Sequence, residues 1–140
     1  MNKRFGYKVC HKCKEEKPIS EFHKNYLTRD RLHNMCKECT IAQGKIYRDR
    51  NRLDVIQHYG GKCECCGEDT LEFLAIDHIN NDGAEHRRKI GNMSIYLWII
   101  QNKYPDGFRV LCHNCNSSRG YYGYCPHQNI GGTHGTQSIN

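Results

Sequence analysis

The chain has 140 residues, 37% hydrophobic and 26% charged, with 21 Lys+Arg against 15 Asp+Glu and a formal net charge of +6. Its length suits one domain or two very small ones. Its longest apolar run, IYLWII at 95–100, falls far short of the roughly 20 residues of a membrane span, and the opening MNKRFGYK lacks the apolar stretch of a secretion signal. The expectation is therefore a cytoplasmic protein with no membrane partner. The positive charge suits a polyanion such as nucleic acid as well as it suits plain solubility.

A chain this short and polar buries a modest core and needs staples. Eight of its ten cysteines fall into four Cys-x-x-Cys pairs. In a reducing compartment that spacing reads as zinc and not as disulfides.

In chain order, residues 1–40 form a four-cysteine module. Cys10 and Cys13 (VCHKCK) make one knuckle, and Cys36 and Cys39 (MCKECT) make the second. Two thiolates two residues apart supply two corners of a tetrahedron, and a second knuckle supplies the rest. A closed shell of four thiolates leaves no position for chemistry, so the site is structural. An iron–sulfur cluster or a redox dithiol would use similar spacing, but nothing else in the chain suggests electron transfer.

Residues 41–59 read as a basic amphipathic linking helix. Ala42, Ile46, Leu53 and Ile56 recur at helical spacing, Lys45, Arg48 and Arg52 lie on the adjacent side, and Gly60-Gly61 is the stop. That basic side is a solvated face or a phosphate contact.

Residues 60–128 form the second module. LEFLAID (71–77) and FRVLC (108–112) read as strands, the latter introduced by the turn signal Pro105-Asp106-Gly107. Between them, DGAEHRRKIGNM reads as a loop or broken helix. SIYLWIIQNKY (94–104) reads as a short helix with Ser94 at its N-cap, and HNCNSSRGYY as a further helix. Cys63 and Cys66 pair with Cys112 and Cys115 as the second zinc site. Cys65 is left out of it because Cys63 and Cys66 have knuckle spacing, with Gly67 following. Cys125 has no partner at that spacing and reads as a free buried thiol, with ligation by Cys125 or His127 the alternative. The final NIGGTHGTQSIN (129–140) has almost nothing to bury and reads as a disordered tail.

The second zinc would tie the start of one strand to the end of the other. It would thereby bring Asp77-His78, at the end of the first strand, toward Asn116 and Arg119. A neutral imidazole, with an unperturbed pKa of about 6.5, can take a proton from water. The oxygens of Asp77 and Asn116 are hard donors that suit Mg2+ or Mn2+. On its own an Asp-His pair in a polar turn is usually structural and a lone Asn is usually a helix cap; the register of Asn116 directly after Cys115 is what makes it a candidate ligand. Tyr96, Trp98, Tyr121, Tyr122 and Tyr124 read as packing.

The combination of CECCG, IDHINNDG and LCHNCN, over about residues 60–120, resembles the HNH endonucleases. Their core is the ββα-metal motif of two strands, a helix and one catalytic divalent cation. The knuckles flanking KPISEF are similar to a module found ahead of such cores in phage-type proteins, and the Cys-Asn segment is similar to the recombination endonuclease VII group. The resemblance implies a small, zinc-stabilised α+β fold: an HNH core preceded by a zinc-ribbon-like module and a linking helix. It implies a metal-dependent DNA endonuclease that leaves 5′-phosphate and 3′-hydroxyl ends and is encoded by a phage or mobile element in a bacterial cell. It makes His78 the general base and Asp77 and Asn116 the ligands of a catalytic Mg2+ or Mn2+, alongside two structural Zn2+ sites.

The chain also departs from that pattern. Gly107, preceded by Asp106, stands where the family's middle asparagine is expected, so Asp106 or Asn80 becomes the candidate for orienting His78. Arg119 stands where the endonuclease VII group has glutamate, so cleavage of branched DNA is not implied, and Arg119 becomes a candidate phosphate contact. His86-Arg87-Arg88-Lys89 is a candidate grip on a DNA backbone. The alternatives are a non-catalytic zinc module that binds nucleic acid and a zinc-stabilised protein adaptor. The sequence leaves the oligomeric state open, with a homodimer as one arrangement.

Overall fold

The computed structural model describes residues 6–129 as a small α+β protein. The expected tail lies outside the described residues except for Asn129. No helix among the described residues is long and apolar enough to cross a membrane. The chain divides into two compact units, Met1–Arg50 and Asn51–Asn140.

The first unit consists of two short antiparallel hairpins, each carrying one knuckle. Strand β1 (Tyr7–Val9) pairs with β2 (Glu16–Pro18), and β3 (Phe22–Lys24) pairs with β4 (Leu32–Cys36). Strands of three residues bury almost nothing. The buried cluster is Cys10, Phe22 and Cys36. Polar links hold the rest: Lys8 Nζ bonds the carbonyls of Leu32 and His33 and pairs with Asp30 at 2.9 Å. The amide of His11 donates to the carbonyl of Asn34 at 2.9 Å, tying the two hairpins together at the knuckles.

Helix α1 (Lys37–His58) begins directly after Cys36, earlier than periodicity suggests. Glu38 in its first turn suits the positive end of the helix dipole. At its other end Gly60 (φ 106°) and Gly61 (φ 69°) take left-handed conformations, and the Gly61 amide closes back on the Ile56 carbonyl at 2.9 Å, the wrap that favours glycine there. The expected apolar side is corrected. Val55 and Ile56 are the buried residues of α1, whereas Ala42 and Ile46 are exposed and Leu53 is 40% exposed. The burial comes from the strands that the last turns meet, and a continuous stripe is not needed for that.

In the second unit a one-turn 3-10 segment (Leu71–Phe73) leads into β5 (Leu74–His78), so the first strand starts three residues later than expected. It pairs antiparallel with β6 (Phe108–Cys112), which has its expected bounds. The register sets Leu74 against Cys112, Asp77 against Arg109 and His78 against Phe108. The connection folds into α2 (Gly83–Ile90) and α3 (Ile95–Gln101), and β6 runs straight into α4 (His113–Tyr122). Ser94 occupies the N-cap position of α3 but makes no side-chain cap bond.

Ile56, Leu74, Val110, Leu111 and four cysteines form one core cluster, and Val55, Ile99 and Phe108 form a second. Arg52 corrects another expectation. It is not a free basic contact: its guanidinium donates to the carbonyls of Leu71 and Leu74, both at 2.7 Å. Lys45 is paired on the helix surface with Asp49 at 2.6 Å.

Candidate functional site

Three cysteine groups have the composition and spacing of metal sites. In the first unit the Sγ atoms of Cys10, Cys13, Cys36 and Cys39 lie within 4.8 Å of one another. The amide of Cys36 donates to Cys10 Sγ at 3.3 Å. Burial pushes the Cys10 thiol up, but backbone N–H donors from Cys36, Cys13 and Lys12 outweigh it and bring it down to about 6. Cys39 goes the other way, to about 12, chiefly through its neighbour Cys36, then burial and the other thiols. One thiolate thus forms readily and disfavours the next, a conflict that a bound dication removes.

The second unit repeats this arrangement with Cys63, Cys66, Cys112 and Cys115. Cys66 and Cys112 Sγ are 3.7 Å apart, and the amide of Cys115 donates to Cys112 Sγ at 3.4 Å. Zn–S bonds of about 2.3 Å set tetrahedral thiolates about 3.8 Å apart. Cys63 is held near 6: burial opposes ionisation, and amides of Cys112, Cys66 and Cys65 outweigh it.

Cys125 is a free, buried cysteine, and beside that reading stands the alternative that it ligates a metal. Its Sγ joins Cys65, Cys115 and His127 Nδ1 in a third group, again within 4.8 Å. Gly123, left-handed at φ 77°, ends α4 and turns the chain back. The turn at Pro126–Asn129 then presents His127 Nδ1 3.2 Å from Cys115 Sγ and 3.5 Å from Cys125 Sγ. Knuckle spacing cannot reveal such a group, because its ligands come from three separate segments. The extra cysteine in CECC and the distant Cys-Pro-His at 125–127 were the available signals.

Asp77 and His78 are adjacent, and successive strand residues face opposite sides. His78 shares a side with Ile76 and Leu74, toward the aromatic core. Its ring meets Phe108 edge-on at 4.8 Å, and its Nε2 is 2.8 Å from His86 Nδ1. His86 in turn lies edge-on to Trp98 at 4.2 Å. Burial lowers the His78 pKa below its usual value, with smaller opposing pulls from Asp82 and Asp77. The imidazole is therefore neutral at pH 7. A Cβ on Gly83 would come within 3.0 Å of His78 Nδ1, so the start of α2 leaves no room for a side chain at that position.

His86 therefore leaves the basic cluster to which its sequence neighbours assign it. It occupies the inward side of α2 with Gly83 and Ile90, all half-buried, while Arg87 and Arg88 are exposed and Lys89 pairs with Glu85 at 2.8 Å. The 83/86/90 spacing was the available signal. His86, and neither Asn80 nor Asp106, is the hydrogen-bonding partner of His78.

On the other side of β5, Asp77 Oδ2 accepts from Arg109 Nε and pairs with its terminal nitrogen, both at 2.8 Å. This cross-strand pair is mostly buried, at 20% and 16% side-chain exposure. Helix α4 lies against both β5 and β6. It carries Asn116 and Arg119, both half-buried, and Arg119 Nε is buried without an acceptor among the described residues. His86 Nε2 is likewise without a partner.

No protein-family model, curated protein or solved structure matches this chain.

Proposed function

We propose that the second unit is a ββα-metal (HNH-type) domain and that the protein is a metal-dependent DNA endonuclease leaving 5′-phosphate and 3′-hydroxyl ends. The observation that carries this reading is His78. It sits at the end of the first of two paired strands, the second of which continues into a helix, burial favours its neutral form, and it is hydrogen-bonded to a second histidine. A neutral imidazole is the form that takes a proton from an attacking water.

Two oxygen donors of the second unit suit a hard divalent cation. Asp77 Oδ1 and the Asn116 amide oxygen are the groups that would hold Mg2+ or Mn2+. When bound, such a cation supplies charge neutralisation at the scissile phosphate and at the departing 3′ oxygen. Arg109, on Asp77 Oδ2, fixes that carboxylate in position. Arg119, whose buried Nε lacks an acceptor, suits a phosphate oxygen. Exposed Arg87 and Arg88 suit the backbone of a duplex.

One observation favours a second reading, a non-catalytic zinc module that binds nucleic acid. The Nε2 of His78 is engaged by His86 Nδ1 at 2.8 Å, and a nitrogen held in that bond cannot take a proton from water until α2 moves.

A cleavage assay on supercoiled, linear and branched DNA, with Mg2+, Mn2+ or chelator, separates the two readings. The nuclease reading expects metal-dependent cutting that drops by roughly 100- to 10,000-fold in His78→Ala, with zinc content and circular dichroism unchanged. Equal cutting by the variant would remove His78 as the base. Salt-sensitive binding without cutting in any metal would establish the second reading.

A further inference from the structure

We propose that the second unit holds two zinc ions in one cluster, bridged by the Cys115 thiolate. The first ion takes Cys63, Cys66, Cys112 and Cys115, and the second takes Cys65, Cys115, Cys125 and His127 Nδ1. The inference is independent of whether the domain cuts DNA.

The two four-ligand groups share Cys115, and each has all its donor atoms within 4.8 Å of one another. Cys115 is fully buried at the first turn of α4, below the sheet end where Leu74 faces Cys112. The distances suit coordination. Zn–S of about 2.3 Å and Zn–N of about 2.0 Å place a thiolate and an imidazole nitrogen about 3.5 Å apart at a tetrahedral ion. The Cys125–His127 distance is 3.5 Å and the Cys115–His127 distance is 3.2 Å.

The supporting segments are built to deliver these ligands. Cys65 lies inside the Cys63–Cys66 knuckle and so leaves it on a different side from its neighbours. The Gly123 reversal carries Cys125 back under α4, where it is 1% exposed. The amide of Gln128 donates to the Cys125 carbonyl at 2.9 Å and closes the turn that holds His127. None of the ten cysteines is in a disulfide. A lone buried thiol would need none of this machinery, and His127, an exposed residue, has no packing reason to turn Nδ1 onto two sulfurs. Six thiolates and one neutral imidazole give seven ligands for two tetrahedral ions, which requires one bridge, and Cys115 is the residue common to both sets.

The test is metal counting on the full-length protein, with 113Cd NMR after exchange of zinc for cadmium. Cys125→Ser and His127→Ala should each lower the zinc content by one ion per chain relative to the parent, with circular dichroism retained. In the parent, two cadmium resonances should show 113Cd–113Cd coupling through the shared sulfur, a readout that does not depend on any variant folding. Unchanged zinc content in soluble His127→Ala would overturn the second ion. Three resonances, the third from the first unit's four-cysteine group, with no 113Cd–113Cd coupling between any two, would overturn the bridge. Rapid alkylation of Cys125 in the metal-loaded parent, or a Cys65–Cys125 disulfide, would also overturn the assignment.

Discussion

The two units use cysteine groups against very different backgrounds. In the first unit two thiol-bearing residues and Phe22 are the whole buried cluster, and its strands are three to five residues long. In the second, Ile56, Leu74, Ile99, Val110 and Leu111 are each at most 1% exposed before any thiol is considered. A metal in the first unit would therefore take the place of a core. In the second it would join the strand ends and α4 over a core that already exists. Structural zinc contributes on the order of 10 kcal/mol in small modules, and in the first unit nothing else of that size is available.

The largest expected effect tests this contrast directly. Removing metal with a strong chelator, or introducing Cys10→Ser, should abolish amide protection across residues 6–36. The amides of β5, β6 and α3 should keep a measurable part of theirs after chelation. Hydrogen exchange read by mass spectrometry checks this, and equal loss in both units would break the comparison.

A smaller effect comes from the other side. Leu111→Ala should destabilise the second unit by about 2–5 kcal/mol, the range for a buried leucine that leaves a cavity, with the first unit's exchange unchanged. A denaturant titration with exchange on both units checks it. Arg52→Ala should cost about 1–3 kcal/mol, because the carbonyls of Leu71 and Leu74 lose a charged donor. The measured shift in denaturation midpoint would sharpen how much of the second unit depends on α1. Lys45→Ala removes an exposed pair with Asp49 and should leave the midpoint within error.

Much of the frame was legible along the chain. The knuckles follow from local spacing, since two thiols two residues apart converge whatever surrounds them. Strand β6 was legible because FRVLC is short, largely apolar and introduced by a turn signal. The start of α4 followed from the polar run after Cys112. The burial of α1 was misread because a helix can bury only its last turns, and periodicity does not say where the partner surface ends. Local pattern offers Arg52 only a solvated face or a phosphate contact, because its true acceptors lie about 20 residues away at the entry to β5.

By itself the sequence determined which donor groups are on offer: cysteine pairs, one Asp-His dipeptide and an Asn directly after the last knuckle. These depend on neighbours within a few residues, and short-range geometry is nearly the same in any fold. The tertiary structure alone decided three things. The register of β5 against β6 puts Asp77 on Arg109 and His78 on Phe108. The folding of α2 over that strand end brings His86 to His78. The reversal at Gly123 places Cys125 and His127 beside Cys115 and Cys65. Each joins segments that are distant in sequence, and such contacts are selected by packing of the whole unit, which no local pattern records.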